Sequence, residues 1–458
     1  METLSQILIV VIFVAMFVVI TIGKVHRYIP ALIGAALTLL VLLIVLRNTN
    51  EIPNTAFYVL NFNQIGTTAF WVPSHENIQS HGINWQTVFF IAGMMTMVEG
   101  LGAAGFFRWI CLLVAKLVHY RVIPILIAFM ILSGFLSMFI DSITVLLFMA
   151  SITIELARLL KFDPVPIIIA EIFAANTGGS ATMAGDPPNI IIGTAYGFNF
   201  MDFLTNTGPI AWAGLIVAVV FFYFCYRKAL SKKTDPTAAL IGQNQQYPEP
   251  HTAITNPRLF NICVGIFLLV IVLLITHAET GISVALIGII AGILTLITAG
   301  SGAKHIAKKI DWRTLLFFIG LFVVVGGLEA TGALKSFANF IETSSKGNFL
   351  LITTIILWIS AFLSAIIDNI PFAATMVPVV FNLAPVPADL RTLSWGLALG
   401  TDIGGNATPI GASANVVGTA IAEREGYPIS WGRFMKFAAP GMILVVALCW
   451  LLMFLIYF

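Results

Sequence analysis

About ten stretches of this chain run close to 20 residues with hardly a charge, beginning with TLSQILIVVIFVAMFVVITIG (Thr3 to Gly23) and PALIGAALTLLVLLIV (Pro30 to Val45). As a helix, a stretch of that length matches the ~30 Å hydrocarbon core of a bilayer, where each backbone N–H and C=O must find its partner inside the protein. Only 10% of the 458 residues are charged, against about 25% in soluble domains. The chain therefore reads as an all-α polytopic membrane protein, with the lipid bilayer as its first partner. The net charge of +2 says nothing about other partners, because lysine and arginine serve topology. No nucleic-acid partner is expected. Lys24 and Arg27 follow the first apolar block instead of preceding it, unlike the basic end of a cleaved signal peptide.

The chain resembles itself. INWQTVFFIAG from Ile83 matches IDWRTLLFFIG from Ile310, and FLSMFIDSIT from Phe135 matches FLSAIIDNIP from Phe362, both at an offset of 227 residues. NTGGSATMAGDPPN from Asn176 matches DIGGNATPIGASAN from Asp402 at an offset of 226. Ordered matches at near-constant spacing indicate two homologous halves, residues 1–230 and 258–458. The polar, proline-bearing stretch 231–257 reads as a cytoplasmic linker between them.

Each half is expected to cross the membrane five times, once by a broken helix, and to carry one re-entrant hairpin. The hairpins are assigned to 121–160 and 347–386, and the broken helices to 164–197 and 393–423. An odd number of crossings makes the halves inverted repeats. With both termini outside an inner or plasma membrane, the basic residues fall inside except Arg47, Lys335, Lys346 and Arg391. Asn48 to Gly82, placed outside, contains no lysine or arginine.

A break at mid-membrane is tolerated only where it meets protein or lines a cavity, and paired breaks in corresponding positions point to a transport site. Gly178 and Gly179 are expected to let the chain leave the first helix. Asp186 is expected to cap the half-helix that follows, with Pro187 in its first turn. The second motif has Ala412, Ser413 and Ala414 where the first has Asp186, Pro187 and Pro188, so the shared scaffold carries an acidic and a neutral side. The hairpin tips add Asp141-Ser142-Ile143-Thr144 and Asp368-Asn369-Ile370-Pro371. An acid inside a membrane segment is costly and marks function, and it also caps half-helices well. Glu99 and Glu171 lie in apolar helices as secondary proton-site candidates, whereas Glu155 is expected to pair with Arg158 in its own helix. Arg108 to Lys116 looks amphipathic, as a helix along the inner surface would be.

GGSATMAGDPPNIIIG, EIFAANTGG, IDNIPFAATMVP and GGNATPIGASANVVG resemble the ion transporter superfamily, in particular the branch of arsenite permeases, the melanosomal P protein and some sodium–proton antiporters. The resemblance covers nearly the whole chain. It implies a homodimer with a scaffold subdomain and a transport subdomain that carries both hairpins and both broken helices in an elevator-like motion. In sodium-coupled dicarboxylate relatives, Ser-Asn-Thr tip motifs bind sodium and carboxylate. Neither tip here has that motif, which favours proton coupling, or a cation or neutral cargo.

The expected function is proton-coupled export of a small inorganic solute such as arsenite or antimonite, by a secondary transporter that is not an enzyme. The hydroxyls of arsenite would meet Asn176, Thr177, Thr182, Asn189, Asn406, Thr408, Ser413 and Asn415, and Asp141 or Asp186 would carry the proton. The candidate site also includes Ser142, Thr144, Gly178, Gly179, Asp368, Asn369, Asp402, Gly404 and Gly405. The alternatives are sodium–proton antiport, with sodium as the coupling ion, and anion or dicarboxylate transport. The absence of arginine, lysine or histidine from the motifs counts against the last. No histidine–cysteine cluster has metal-ligand spacing, so neither metal nor cofactor is expected. GGSATMAG lacks the ending of an ATP-binding loop, which leaves room only for a separate ATPase partner.

Overall fold

The structure, a computed structural model, describes residues 2–45, 55–72, 82–231, 247–384 and 386–458. Most of the expected linker 231–257 lies outside the described residues, as do Arg47 and much of the Asn48 to Gly82 segment. The described residues form helices, turns and irregular connections, without a strand. Eight of their helices are long and apolar enough to cross a membrane.

The helices of the first half are α1 (Glu2–Ile22), α2 (Tyr28–Val45), the short α3 (Thr55–Leu60) and α4 (Thr68–Trp71), α5 (Trp85–Ala103), α6 (Phe106–Leu117), α7 (Val122–Leu136), α8 (Ser142–Leu160), α9 (Val165–Gly179), α10 (Pro187–Tyr196) and α11 (Phe200–Ser231). The second half follows with α12 (Pro257–Thr280), α13 (Val284–Ala299), α14 (Ala303–Lys309), α15 (Trp312–Ala330), α16 (Ala333–Ser345), α17 (Phe349–Ser364), α18 (Asn369–Leu383), α19 (Pro387–Gly404), α20 (Ser413–Arg424) and α21 (Trp431–Tyr457). Starts are capped where the sequence supplies an acceptor. Asn84 accepts from the N–H of Thr87, Asp311 from Thr314, Ser283 from Leu286 and Asn348 from Leu351.

Packing partners are exchanged reciprocally between the halves. Helix α2 lies against α15, and α13 lies against α5. In the latter contact a Cβ on Gly93 would sit 1.8 Å from the Gly288 carbonyl oxygen, so only glycine permits that approach. Within each half, α7 packs on α9 and α17 on α19. Across the halves, α8 packs on α20 and α18 on α10. Side chains such as Leu4, Val11, Val18 and Ile22 on α1 are exposed, as expected for a helix facing lipid.

Two expectations about individual segments need correction or refinement. Glu155 does not pair with Arg158. It takes both ends of the Arg108 guanidinium, at 2.7 and 2.8 Å, while Arg158 reaches Glu425. The contact of α6 with α8 offers a two-pronged partner that a neighbour on the same helix cannot match. Helix α8, assigned to a hairpin limb, has 19 residues and is itself long enough for a span of about 28 Å. Its counterpart α18 has 15.

Candidate functional site

The two interruptions have one construction. Helix α9 stops at Gly179, and α10 begins at Pro187. Helix α19 stops at Gly404, passes through one 3-10 turn, Gly405–Ala407, and resumes as α20 at Ser413. Each break frees carbonyls, and one asparagine satisfies them. Asn189 Nδ2 donates to the carbonyls of Gly179 and Thr182 at 3.1 and 3.0 Å. Asn415 Nδ2 donates to those of Gly405 and Thr408, both at 2.7 Å. Thr182 ties the first break to the turn between α7 and α8 by donating to the carbonyl of Met138. Thr408 ties the second to the turn between α17 and α18 through that of Ala365.

The breaks also meet each other. Asn176 Nδ2 donates to Oδ1 of Asn406 and of Asn415, each at 2.9 Å, and Asn406 Nδ2 donates to Thr177 Oγ1 at 3.3 Å. The first helix ends at Gly179, as expected, but neither Gly178 nor Gly179 has a positive φ, and nor do Gly404 and Gly405 in the second break. They permit close approach. A Cβ on Gly178 would lie 2.2 Å from the Gly134 carbonyl oxygen, and one on Gly404 2.3 Å from Ala361 Cα.

Asp186 does not cap α10 as expected. The first two positions of that helix are Pro187 and Pro188, which have no N–H, and the N–H of Asn189 is taken by the backbone oxygen of Asp186 itself. The carboxylate turns instead to the first residues of α8 and α18. One oxygen accepts from Ser142 Oγ at 2.6 Å and the other from Asn369 Nδ2 at 2.8 Å. Asp402 is fully buried beside Asp186 and Asn189, and no donor meets either of its carboxylate oxygens in hydrogen-bond geometry, the Asn189 amide being directed to the Gly179 and Thr182 carbonyls. Asp141 and Asp368 lie near enough to act on Asp186 through their charge. The four aspartates singled out in the sequence thus share one region, in which Asp186, Asp368 and Asp402 are buried and Asp141 is half-buried. Asn176 Oδ1 and Asn189 Oδ1 are likewise buried without a donor. Glu171 is buried elsewhere on α9, with one oxygen held by Thr153 and the other without a partner. Half-buried Glu99 has His305 and Lys309 for charged neighbours.

Asp141 and Asp368 are held differently. Asp141 spends one oxygen on the Thr144 N–H at 3.0 Å and the other on the Thr144 hydroxyl at 2.8 Å. Asp368 accepts from the Ile370 N–H at 3.2 Å, while its other oxygen accepts from Ser413 Oγ at 2.9 Å and forms an ion pair with Arg27. Arg27 also donates to Ser413 Oγ at 2.6 Å. It comes from the loop between α1 and α2, 341 positions away in sequence, and the motif reading missed it.

Arg27, Asp368 and Ser413 line a cavity of about 610 Å3 together with His26, Arg313 and Ile410. Beside Asp141 there is a void of only about 20 Å3. Of the expected site residues, only Asp368 and Ser413 line the large cavity. Asn176, Thr177, Asn189, Asn406 and Asn415 are instead hydrogen-bonded to one another or to the backbone of the breaks. No cluster of three metal-ligating side chains occurs among the described residues.

The sequence model of the citrate transporter family, CitMHS, matches residues 15–400. The chain belongs to the citrate transporter family. This family member is 33% identical over 452 residues to a 46 kDa membrane protein of Mycobacterium leprae, the match covering 98% of each chain. It is 30% identical over 460 residues to the P protein of Homo sapiens, covering 81% of this chain and 54% of that one. Its fold is like that of the YdaH transporter of Alcanivorax borkumensis, whose crystal structure is described as having an unusual topology. That likeness has a TM-score of 0.54 and 13% identity, over 92% of this chain and 97% of the other. This member of the citrate transporter family is a secondary membrane transporter, not an enzyme.

Proposed function

We propose that transport is coupled to a proton held between Asp186 and Asp402. The observation that carries this is the second carboxylate, buried beside the first with no donor of its own. Among the described residues no basic side chain pairs with either. Two carboxylates held together in such surroundings share a proton or take up a cation. Asp186 also joins the two tips, so its state of charge bears on how both are held. Sodium is the second reading, favoured by the donor-free Asn176 and Asn189 oxygens, which could serve as cation ligands.

For the cargo, the cavity suggests a small oxygen-rich anion, a carboxylate or inorganic oxyanion. Apart from Ser413, which faces Arg27 and Asp368 in the cavity, the amides and hydroxyls expected to meet arsenite are engaged with one another and with the backbone. Basic residues missing from the motifs in sequence are supplied by Arg27, Arg313 and His26. Arsenite and antimonite remain useful as uncharged comparators. In this reading the helix pairs α7–α8 and α17–α18 are re-entrant, and they move with the broken helices as an elevator within a homodimer. With both termini outside, the large cavity opens to the inside, where cargo for export would load.

The test is solute counterflow in proteoliposomes with citrate, arsenite and sodium in turn, while a dye reports internal pH. Proton movement that follows citrate and persists without sodium is expected. Solute flux with no proton movement would remove the proton from the cycle, and a strict sodium requirement would select the second reading.

A further inference from the structure

Asp141 and Asp368 occupy corresponding places at the two tips, yet only one of them meets a cation. The cause lies three residues downstream. Thr144 gives Asp141 an N–H and a hydroxyl, which engage both of its oxygens. The corresponding residue of the second half is Pro371, which has neither donor. Asp368 is left with one oxygen for outside partners, and Arg27 and Ser413 take it. Position 187, corresponding to Ser413, is a proline, so the first side lacks that hydroxyl as well. The polar trio therefore exists on one side only, the side of the large cavity.

Arg27 is suited to more than holding Asp368. Its side chain is 32% exposed and lines the cavity, whereas that of Asp368 is 5% exposed. Both contacts described for the guanidinium use Nη1. A guanidinium carries five N–H donors in a fork that matches a carboxylate or oxyanion in two-pronged fashion. Asp368 engages one prong, so a better-placed anion in the cavity can compete for the same group. Arg313 stands nearby, with its Nη1 3.2 Å from His26 Nε2. Asp311, which also lines the cavity, is occupied in capping Thr314 through that residue's N–H and hydroxyl.

We propose that Arg27 is the cargo-recognition residue of this transporter and that Asp368 is its internal stand-in for cargo, so that the solute's negative oxygens and the Asp368 carboxylate compete for one guanidinium. This rests on the anionic-cargo reading above and adds a specific residue and a competitor to it. With the cavity empty, the ion pair ties the α1–α2 loop to the second tip and the second break. Cargo releases that tie as it binds.

The competition makes the two partners' variants move in opposite directions. In counterflow with citrate, Arg27→Gln should raise the half-saturating concentration at least tenfold and Arg27→Lys by less. Asp368→Asn should lower it about threefold, and the double variant should behave like Arg27→Gln. A rise of similar size in Arg27→Gln and Asp368→Asn would mean that the pair is structural, and the proposal would fall.

A second measurement does not depend on the cargo. Ile410→Cys, in a Cys225→Ser background, is modified with a sulfonate-bearing or a trimethylammonium-bearing thiol reagent. The ratio of the sulfonate rate to the ammonium rate should rise in Asp368→Asn and fall in Arg27→Gln, each by threefold or more. An unmoved ratio alongside intact citrate transport would overturn the role of Arg27. A moved ratio in a protein that carries no tested anion would overturn the cargo reading and leave Arg27 as an anion-binding group.

Discussion

Replacing Asp186 separates its charge from its shape. In Asp186→Asn one oxygen remains to accept from Ser142 or Asn369. The new amide can meet a turned hydroxyl or a flipped Asn369 amide, since both groups donate and accept. What is lost is the charge assistance of two bonds now at 2.6 and 2.8 Å. A hydrogen bond to a charged group contributes about 1.5–3 kcal/mol against about 0.5–1.5 for a neutral one, so the loss is about 2–3 kcal/mol, partly offset by removing a like charge beside Asp402. Asp186→Ala is harsher. It leaves Ser142 and Asn369 buried without that acceptor, at about 1–3 kcal/mol each, and unties both tips.

The assay is uphill accumulation of citrate in proteoliposomes under an imposed pH gradient, set against downhill counterflow in the same vesicles. Asp186→Asn should abolish accumulation while counterflow stays within about tenfold of wild type, the equivalent of ~1.4 kcal/mol. Asp186→Ala should lose both, with a lower thermal midpoint in detergent. If Asp186→Asn concentrates solute against its gradient as well as wild type does, the shared-proton reasoning is wrong.

Further outcomes follow from the same packing. Gly178→Ala would drive a Cβ to 2.2 Å from a backbone oxygen of α7 that has no rotamer to yield, costing about 1–3 kcal/mol or more, read as a lower thermal midpoint and lost transport. Asn415→Ala removes two 2.7 Å bonds to freed carbonyls and an acceptor of Asn176, for about 2–5 kcal/mol, read in the same melt. Asp402→Asn should uncouple transport as Asp186→Asn does but leave the melt unchanged or higher, because Asp402 accepts no hydrogen bond that would be lost and the new amide can donate to Asp186; a lower midpoint would refute the assignment of Asp402 as donor-free.

The breaks were legible in sequence because buried backbone tolerates so few solutions. A glycine pair, a helix-starting residue and an asparagine recurring 226 positions apart leave little freedom in where the helices stop. The purpose of particular side chains was less legible. Asp186 stands where a cap should be, and only the tandem proline after it hinted that there was little to cap. The glycines read as a place for the helix to end, which it does at Gly179, but their second task, admitting a neighbouring backbone, was hidden because that neighbour is distant in sequence. Arg27 was hidden differently, because a basic residue between two apolar blocks is already explained by membrane topology. A clue did exist in Pro371, which stands where Thr144 stands in the other half and leaves an intramembrane acid short of local donors.

That exchange of threonine for proline has a consequence for the whole cycle. A carrier built from two matching halves could in principle present the same face to each side of the membrane. Here one tip aspartate is satisfied by its own neighbour and the other depends on a group borrowed from a separate helix pair. In the proposed elevator cycle the inward-facing and outward-facing states are then expected to rest at unequal depth, because only one of them would hold the Arg27–Asp368 tie. Moving the proline to position 144 and the threonine to 371 would be a direct way to ask whether the resting state follows them.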